Sequence, residues 1–369
     1  MKTERNFPKA VITKKGENWV GGGHPWIYDA EVLSVEGEYE NGSLVDAVSE
    51  KGKYIGTGFI STESKIRIRL VSKNANDKFD REFWKRRVKY AWDYRKTVMG
   101  EDIGCCRFIF GEADQFPGLT VDKFGDILVT QCLSIGMEKI KNIVFPLLYE
   151  VLTEDGQAVR GIYERNDVAI RKLEGMEENK GWFELPGVPV PESTGTEIIE
   201  NGIKYSVDFE NGQKTGFFLD QRENRALVGS LSKGRNVLNL FCYTGGFSIY
   251  ALAAGAKHVD SVDSSKKAMM MVDRNVALNG FDESVHTSLC CDAIEYVKSV
   301  PEGKYDLMIV DPPAFAKHRG ALKNALRAYQ RLNAAAISKV APGGFVFTYS
   351  CSQVVDKEAF ALAVFSAAA

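Results

Sequence analysis

The stretch Val237-Leu-Asn-Leu-Phe-Cys-Tyr-Thr-Gly-Gly-Phe-Ser248 reads as an apolar strand, a tight glycine turn and the start of a buried helix. It opens the most apolar window of the chain, residues 237–256. Asn239, Thr244, Gly245, Gly246 and Ser248 interrupt that window, so it reads as buried core rather than a membrane span. The same alternation continues downstream. Strands are expected at 237–241, 258–262, 286–290, 306–310 and 344–349, with helices near 247–254, 265–279, 292–299 and 322–340. Regular strand–helix alternation predicts a doubly wound parallel α/β sheet.

In such sheets ligands bind beyond the carboxyl ends of the strands, where the strand order reverses. The residues just after each strand therefore carry the functional information. After the first strand, Gly245 and Gly246 let the backbone approach a ligand closely, but the spacing is not G-x-G-x-x-G. The second strand ends in Asp263, whose carboxylate suits the vicinal ribose hydroxyls shared by NAD and S-adenosylmethionine (SAM). The third ends in Cys291-Asp292, with Asp292 placed to accept from an adenine amino group. Either acid could instead cap the following helix. Two of them at successive strand ends, behind a glycine loop, favour a nucleoside cofactor.

The fourth strand runs into Asp311-Pro-Pro-Ala-Phe315. An acid before two prolines here marks methyltransferases acting on planar nitrogenous substrates: the prolines hold carbonyls rigidly at the rim and the aromatic can stack on a base. The fifth strand ends in Ser350-Cys351-Ser352. A free cysteine at the rim opposite Asp311 is a candidate nucleophile.

Upstream the chain changes character. Short strands at 10–13, 43–48, 54–60 and 65–71 are divided by Gly21-Gly22-Gly23, Asn41-Gly42 and Lys51-Gly52, the pattern of a small β-barrel. Residues 77–99 read as a helix with Phe79, Phe83, Tyr90 and Tyr94 on one core-facing stripe. Lys85, Arg86, Arg87, Lys89, Arg95 and Lys96 interleave them, as a solvated face or as RNA contacts. Strands at 107–110, 119–123, 127–132 and 161–164, with a helix at 139–152 and a charged stretch at 167–180, make an α+β middle domain. Pro186, Pro189 and Pro191 mark a boundary, followed by strands at 197–200 and 203–208. Three domains are expected: 1–75, 76–190 and 191–369.

Composition narrows the class. With 44% hydrophobic and 26% charged residues, the chain is neither disordered nor low-complexity. Lys+Arg 47 against Asp+Glu 49 gives a net charge of −2, so any nucleic-acid site must be a local patch. The 7 cysteines include two adjacent pairs but no C-x-x-C, and the 4 histidines form no H-E-x-x-H, so reduced thiols and no metal are expected. Residues 1–10 are polar and mixed in charge, without a signal-peptide pattern, and a cytoplasmic protein is expected.

Taken together, several motifs resemble the bacterial PUA-domain ribosomal RNA large-subunit methyltransferases that make 5-methylcytosine. They are Gly23-His24-Pro25-Trp26, Gly111 through Lys123, Lys214-Thr-Gly-Phe-Phe-Leu-Asp-Gln-Arg222, Asn239 through Phe247, Val310-Asp-Pro-Pro-Ala-Phe-Ala-Lys317 and Ser350-Cys-Ser352. The resemblance implies a class I methyltransferase fold, a Rossmann-like doubly wound sheet preceded by a PUA-like barrel and the α+β middle domain. It implies SAM as cofactor, held by Lys214, Thr215, Asp220, Arg222, Phe241, Tyr243, Thr244, Gly245, Gly246, Asp263, Ser264, Asp292, Asp311 and Pro312. Pro313 and Phe315 would meet the base, with Cys351 and Asp311 catalytic. The expected partner is large-subunit ribosomal RNA, with no membrane and with a homodimer left open. Only five of the family's seven strands are read, so the final antiparallel hairpin is expected to be missing. The competing readings are a guanine or adenine N-methyltransferase and a ribosome assembly factor that holds SAM without turnover.

Overall fold

The structure is a computed structural model that describes residues 6–369; the first half of the polar N-terminus read above lies outside the described residues. Two compact units emerge: residues 1–199 with 207–219, and residues 200–206 with 220–369.

The first unit begins with β1 (Lys9–Ile12), α1 (Lys14–Gly21), β2 (Trp26–Ile27), β3 (Val32–Glu36), β4 (Leu44–Ser49), β5 (Tyr54–Ile60) and β6 (Ile68–Ser72). They form a six-stranded sheet in the order β2-β6-β5-β4-β1-β3, around a core that includes Ala10, Ile12, Val45, Ala47, Ile60 and Ile68. β2 and β3 are the outer strands of that order among the described residues. Helix α1 was not anticipated. It buries only Gly16 and Val20 and starts because the Thr13 hydroxyl accepts the Gly16 N–H. The strand expected from residue 65 begins only at Ile68, because serine hydroxyls capture the amides before it: Ser64 N–H donates to Ser61 Oγ and Ile66 N–H to Ser64 Oγ.

There follow α2 (Arg81–Met99), β7 (Cys105–Phe110), β8 (Leu119–Phe124), β9 (Ile127–Cys132), α3 (Ile135–Glu154), β10 (Gly161–Asn166) and β11 (Asn179–Phe183). The sheet order is β11-β10-β9-β8-β7. The aromatic stripe predicted on α2 is half inside: Phe79 and Phe83 are in the core, together with Trp84, Val88, Ala91, Trp92 and Arg95, whereas Tyr90 and Tyr94 are 60% and 58% exposed. Phe79 precedes the helix, with φ 58°. Much of the basic face is neutralised within the unit: Arg81 and Lys85 pair with Glu150, Lys85 with Glu154, and Lys96 with Asp155. Residues 1–75 and 76–190 share one core, since Phe59 and Val71 pack with Trp84, Phe116 and Phe145 in a single cluster. The Trp26 indole N–H donates to Glu112 and Arg69 donates to Glu174, tying the same two segments by polar contacts.

The two-stranded ribbon β12 (Gly195–Glu200) and β13 (Ile203–Asp208) carries the division between units. The second unit continues with α4 (Arg222–Ser230), β14 (Asn236–Leu240), α5 (Gly246–Ala253), β15 (His258–Asp263), α6 (Lys266–Leu278), β16 (His286–Cys290), α7 (Ala293–Ser299), β17 (Tyr305–Val310), α8 (Leu322–Lys339), β18 (Val340–Thr348) and α9 (Lys357–Ala368). Its strands, all parallel, run in the order β16-β15-β14-β17-β18. The order reverses between β14 and β17, which places the crevice beyond their carboxyl ends. No helix among the described residues is long and apolar enough to cross a membrane.

Candidate active site

The glycine loop between β14 and α5 is built on unusual backbone. Phe241 and Tyr243 have φ of 59° and 48°, a region non-glycine residues seldom enter, and Gly245 has φ 80°. A Cβ on Gly245 would press on Val272 of α6 at 3.1 Å, so the loop is bare for packing as well as for turning. The loop is held from several sides. Tyr243 N–H donates to Asp263 Oδ2 (3.0 Å), Asn275 Nδ2 donates to the Thr244 carbonyl (2.9 Å), and Tyr205 OH donates to the Gly246 carbonyl (2.9 Å).

Asp263 ends β15 half-buried, and Ser265 N–H donates to its Oδ1 (2.9 Å). Each carboxylate oxygen thus accepts one backbone N–H and keeps a second lone pair for a ligand hydroxyl. Asp292 is exposed and takes the capping role foreseen as its alternative: Oδ1 accepts Ile294 N–H (2.8 Å) and Glu295 N–H (2.9 Å) at the start of α7. Ser264 is exposed, and its carbonyl faces the Cys290 thiol at 3.6 Å.

Beneath the loop runs a buried polar chain. Asn239 Nδ2 donates to Ser248 Oγ (2.8 Å), Ser248 meets Ser261 Oγ (2.7 Å), and Ser261 meets His286 Nε2 (2.8 Å). Burial outweighs the Asp273 carboxylate and pushes the His286 pKa down to about 4. The folded imidazole stays neutral while the unfolded chain takes up a proton below its ordinary value. Stability is therefore expected to fall as pH drops from 6.5 towards 4, by up to about 3 kcal/mol from this residue. Denaturation followed across that window should show His286→Gln with a flatter acid limb; an unchanged slope would sink the assignment.

Across the crevice, Asp311 leaves β17 half-buried, Pro312 is buried and Pro313 is exposed. The Cys351 thiol is exposed and points its S–H at the Pro312 carbonyl, 3.8 Å away. Thus the structure brings the predicted nucleophile to the Asp-Pro-Pro loop, although 39 residues separate Cys351 from Pro312. Sequence reasoning missed what holds it there. Ser350 Oγ donates to Tyr329 OH (3.0 Å), Tyr329 OH meets Ser352 Oγ (2.9 Å), and Ser352 Oγ accepts Ala316 N–H (3.3 Å). The Tyr329 phenol on α8 pins both loops at once. Its only sequence signal was a tyrosine on the inner face of an amphipathic helix. Phe315, foreseen as a base-stacking ring, packs its ring against Tyr329 at 4.7 Å and anchors the loop to the core.

Three other thiols are poor rivals. Burial holds Cys242, in the glycine loop, well above the ordinary cysteine range, and Cys132 likewise. Cys291 is also raised, by desolvation and by Cys290 and Asp292. Tyr349, stacked on Phe247 at 5.4 Å, is kept protonated by burial and by the charge of Asp311. Its hydroxyl is buried with no partner among the described residues, a donor-acceptor group open to a ligand at this rim.

The segment 214–222 divides between units. Lys214 and Thr215 belong to the first, where Lys214 lies over the Phe218 ring (4.5 Å) and Thr215 is buried with its hydroxyl on Asp122 (2.6 Å). That hydroxyl is therefore committed to a protein carboxylate rather than offered to a cofactor. Asp220 is exposed. Arg222 is buried in the second unit, and its Nε donates to Glu200 (3.1 Å), an ion pair that serves the fold.

The bare glycine cradle, the oriented Asp263 carboxylate and the orphan Tyr349 hydroxyl fit a nucleoside cofactor. Comparison with known proteins agrees. Residues 183–359 match the S-adenosylmethionine-dependent methyltransferase family, and residues 10–73 match the PUA-like domain family. The chain is 38% identical over 351 residues to ribosomal RNA large subunit methyltransferase I of Aeromonas hydrophila, covering 94% of this chain and 86% of that protein. It is 35% identical over 363 residues to the protein of the same name from Klebsiella pneumoniae, covering 97% and 88%. In fold it is similar to a methyltransferase solved in complex with SAH, with TM-score 0.80 at 23% identity over 97% of this chain and 90% of that one. A SAM-dependent methyltransferase from Streptococcus mutans gives TM-score 0.77 at 22% identity over the same shares. The glycine loop, the strand-end carboxylates and these end-to-end matches place the chain in the ribosomal RNA large subunit methyltransferase I family, SAM-dependent methyltransferases that carry a PUA-like domain.

Proposed function

We propose that the protein methylates C5 of a cytosine in large-subunit ribosomal RNA, through a covalent bond between Cys351 and C6 of the base. The observation that carries this reading is the exposed Cys351 thiol facing the Pro312 carbonyl at the Asp311-Pro-Pro loop. The relatives' names support the RNA, and the PUA-like segment supports an RNA-gripping role for residues 1–75. In this reading residues 76–190 support the grip and residues 191–369 carry the chemistry.

SAM supplies an electrophilic methyl group when bound. Asp263 would hold its ribose hydroxyls, and the Gly245-Gly246 turn would let the backbone come close to it. Cytosine C5 is too weak a nucleophile on its own. Addition of the Cys351 thiolate to C6 makes C5 nucleophilic, and loss of the C5 proton after methylation expels the thiol. Asp311 accepts from the N4 amino group and holds that edge of the base in place for the addition. The base must be unpaired or flipped out of its stack to reach this rim.

Two measurements test the reading. Methyl-tritiated SAM incubated with ribosomal RNA should label 5-methylcytosine on nucleoside analysis; label on a purine nitrogen would overturn it. Asp263→Ala should weaken SAM binding by about 1.5–3 kcal/mol, the scale of hydrogen bonds to a charged group. Calorimetry finding equal affinity would remove Asp263 from the cofactor site.

A further inference from the structure

We propose that Trp19, His24, Trp26 and Tyr28 form a stacking site for an unpaired base of the RNA, an inference that rests on the RNA reading above. The four rings lie together at the end of α1. Trp19 is 5.8 Å from His24 and 6.0 Å from Tyr28, and His24 is 5.8 Å from Trp26 and 6.0 Å from Tyr28. None belongs to the apolar core of this sheet, and Trp19 is 41% exposed. Cations already attend the two indoles: Lys15 Nζ lies 4.6 Å from the Trp19 ring centre and Arg69 lies 5.5 Å from that of Trp26. Trp26 is fixed in place by its N–H bond to Glu112 (2.7 Å). A rigid aromatic surface of this kind stacks bases whatever their identity.

Two further observations point to a nucleotide rather than to any flat apolar group. Gly23 needs its φ of 98°, but Gly21 ends α1 in ordinary helical backbone, and a Cβ there would meet nothing within 4 Å. Nothing in the fold asks for glycine at Gly21, where alanine would hold the helix end better. Bare backbone beside the rings suits the close approach of a sugar-phosphate chain. The charge for it comes from Lys73. The residue is exposed, its ammonium donates to the Val20 carbonyl (2.7 Å) at this helix end, and it has no acidic partner among the described residues. The N–H groups of Gly22, Gly23 and His24 are already spent on Asn18, Val20 and Trp19 carbonyls, so Lys73 and not the backbone must meet the phosphate. Stacking on the rings needs a base free of its complement, which selects single strands over duplex.

The test is fluorescence anisotropy of the full chain with a short unstructured oligoribonucleotide and with a blunt RNA duplex. Trp19→Ala and His24→Ala should each raise the single-strand Kd about tenfold, while Trp19→Phe stays within about twofold. Duplex affinity and SAM affinity should not change, the latter confirming an intact fold. Lys73→Ala should lower the slope of log Kd against log salt by about 0.7, the value for one phosphate on a single strand. If the wild type binds the oligonucleotide and Trp19→Ala and Lys73→Ala bind it equally well, the stacking site is wrong and the RNA reading survives. If the wild type binds neither RNA at low salt, the RNA reading itself falls, and this inference with it.

Discussion

RNA carrying 5-fluorocytosine at the target position is expected to trap the wild-type protein in a covalent complex that survives denaturation. Fluorine cannot leave C5 as a proton, so the thiol that added to C6 cannot be expelled after methyl transfer. The complex should require SAM and disappear in Cys351→Ala. Cys242→Ala and Cys291→Ala should still form it, because burial or neighbouring charge keeps both thiols protonated. Turnover on unmodified RNA should fall in Cys351→Ala by about 10³-fold or more, the scale on which losing a nucleophile acts. The Asp311-Pro-Pro-Ala-Phe315 loop holds no cysteine, so one thiol must both attack and leave. Asp311→Ala should slow trapping without abolishing it. Wild-type turnover by Cys351→Ala would end the covalent reading and put methylation of a purine nitrogen in its place.

Replacing Glu200 should be the most destabilising single change in the second unit. Its carboxylate is fully buried and accepts from Arg222 Nε (3.1 Å), Arg225 Nε (2.8 Å) and Nη2 (2.8 Å), and Tyr250 OH (3.1 Å). Burial alone would lower the Arg225 pKa, but the hydrogen bonds and charge of Glu200 overcome it and hold the guanidinium charged. Glu200→Ala leaves two buried cations without their counter-charge, and breaking such a pair costs about 3–5 kcal/mol. Hydrogen exchange of the β14 and β17 amides reads this unit directly. All five tryptophans lie in the first unit, so indole fluorescence follows that unit separately. A loss below about 1 kcal/mol would show that the buried network is not what holds the unit together.

The segments the sequence made legible share one property, which is that their signal is local. Every strand expected in the parallel sheet is found within a few residues, because apolar runs and the turns that end them are set by neighbours in the chain. The strand-end residues followed at once, since a parallel sheet presents its carboxyl ends to one crevice. The misreadings have a common cause as well. On helix α2 Phe83 goes inward as expected, but Arg95 is buried against Asp114 while Tyr90 and Tyr94 stay out, an exchange that hydropathy cannot foresee. Helix α4 went unnoticed because it points arginines into the protein, and charged residues read as solvent-facing until their partner is known.

From residues alone came the α/β architecture, the glycine loop, the acids at the ends of β15 and β17 and the thiol after β18, each a matter of residue type at a fixed place in a short repeat. Folding alone settled which side chains are bound up inside the fold and which stay at its surface. Thr215 is taken up by Asp122, Arg222 by Glu200 and Phe315 by Tyr329, while Cys351 stays exposed at Pro312. Those partners lie 93, 22, 14 and 39 residues apart. A buried hydrogen bond or ion pair forms only when both groups lose water together, so its meeting is decided by the packing of distant segments and leaves no mark on the chain nearby.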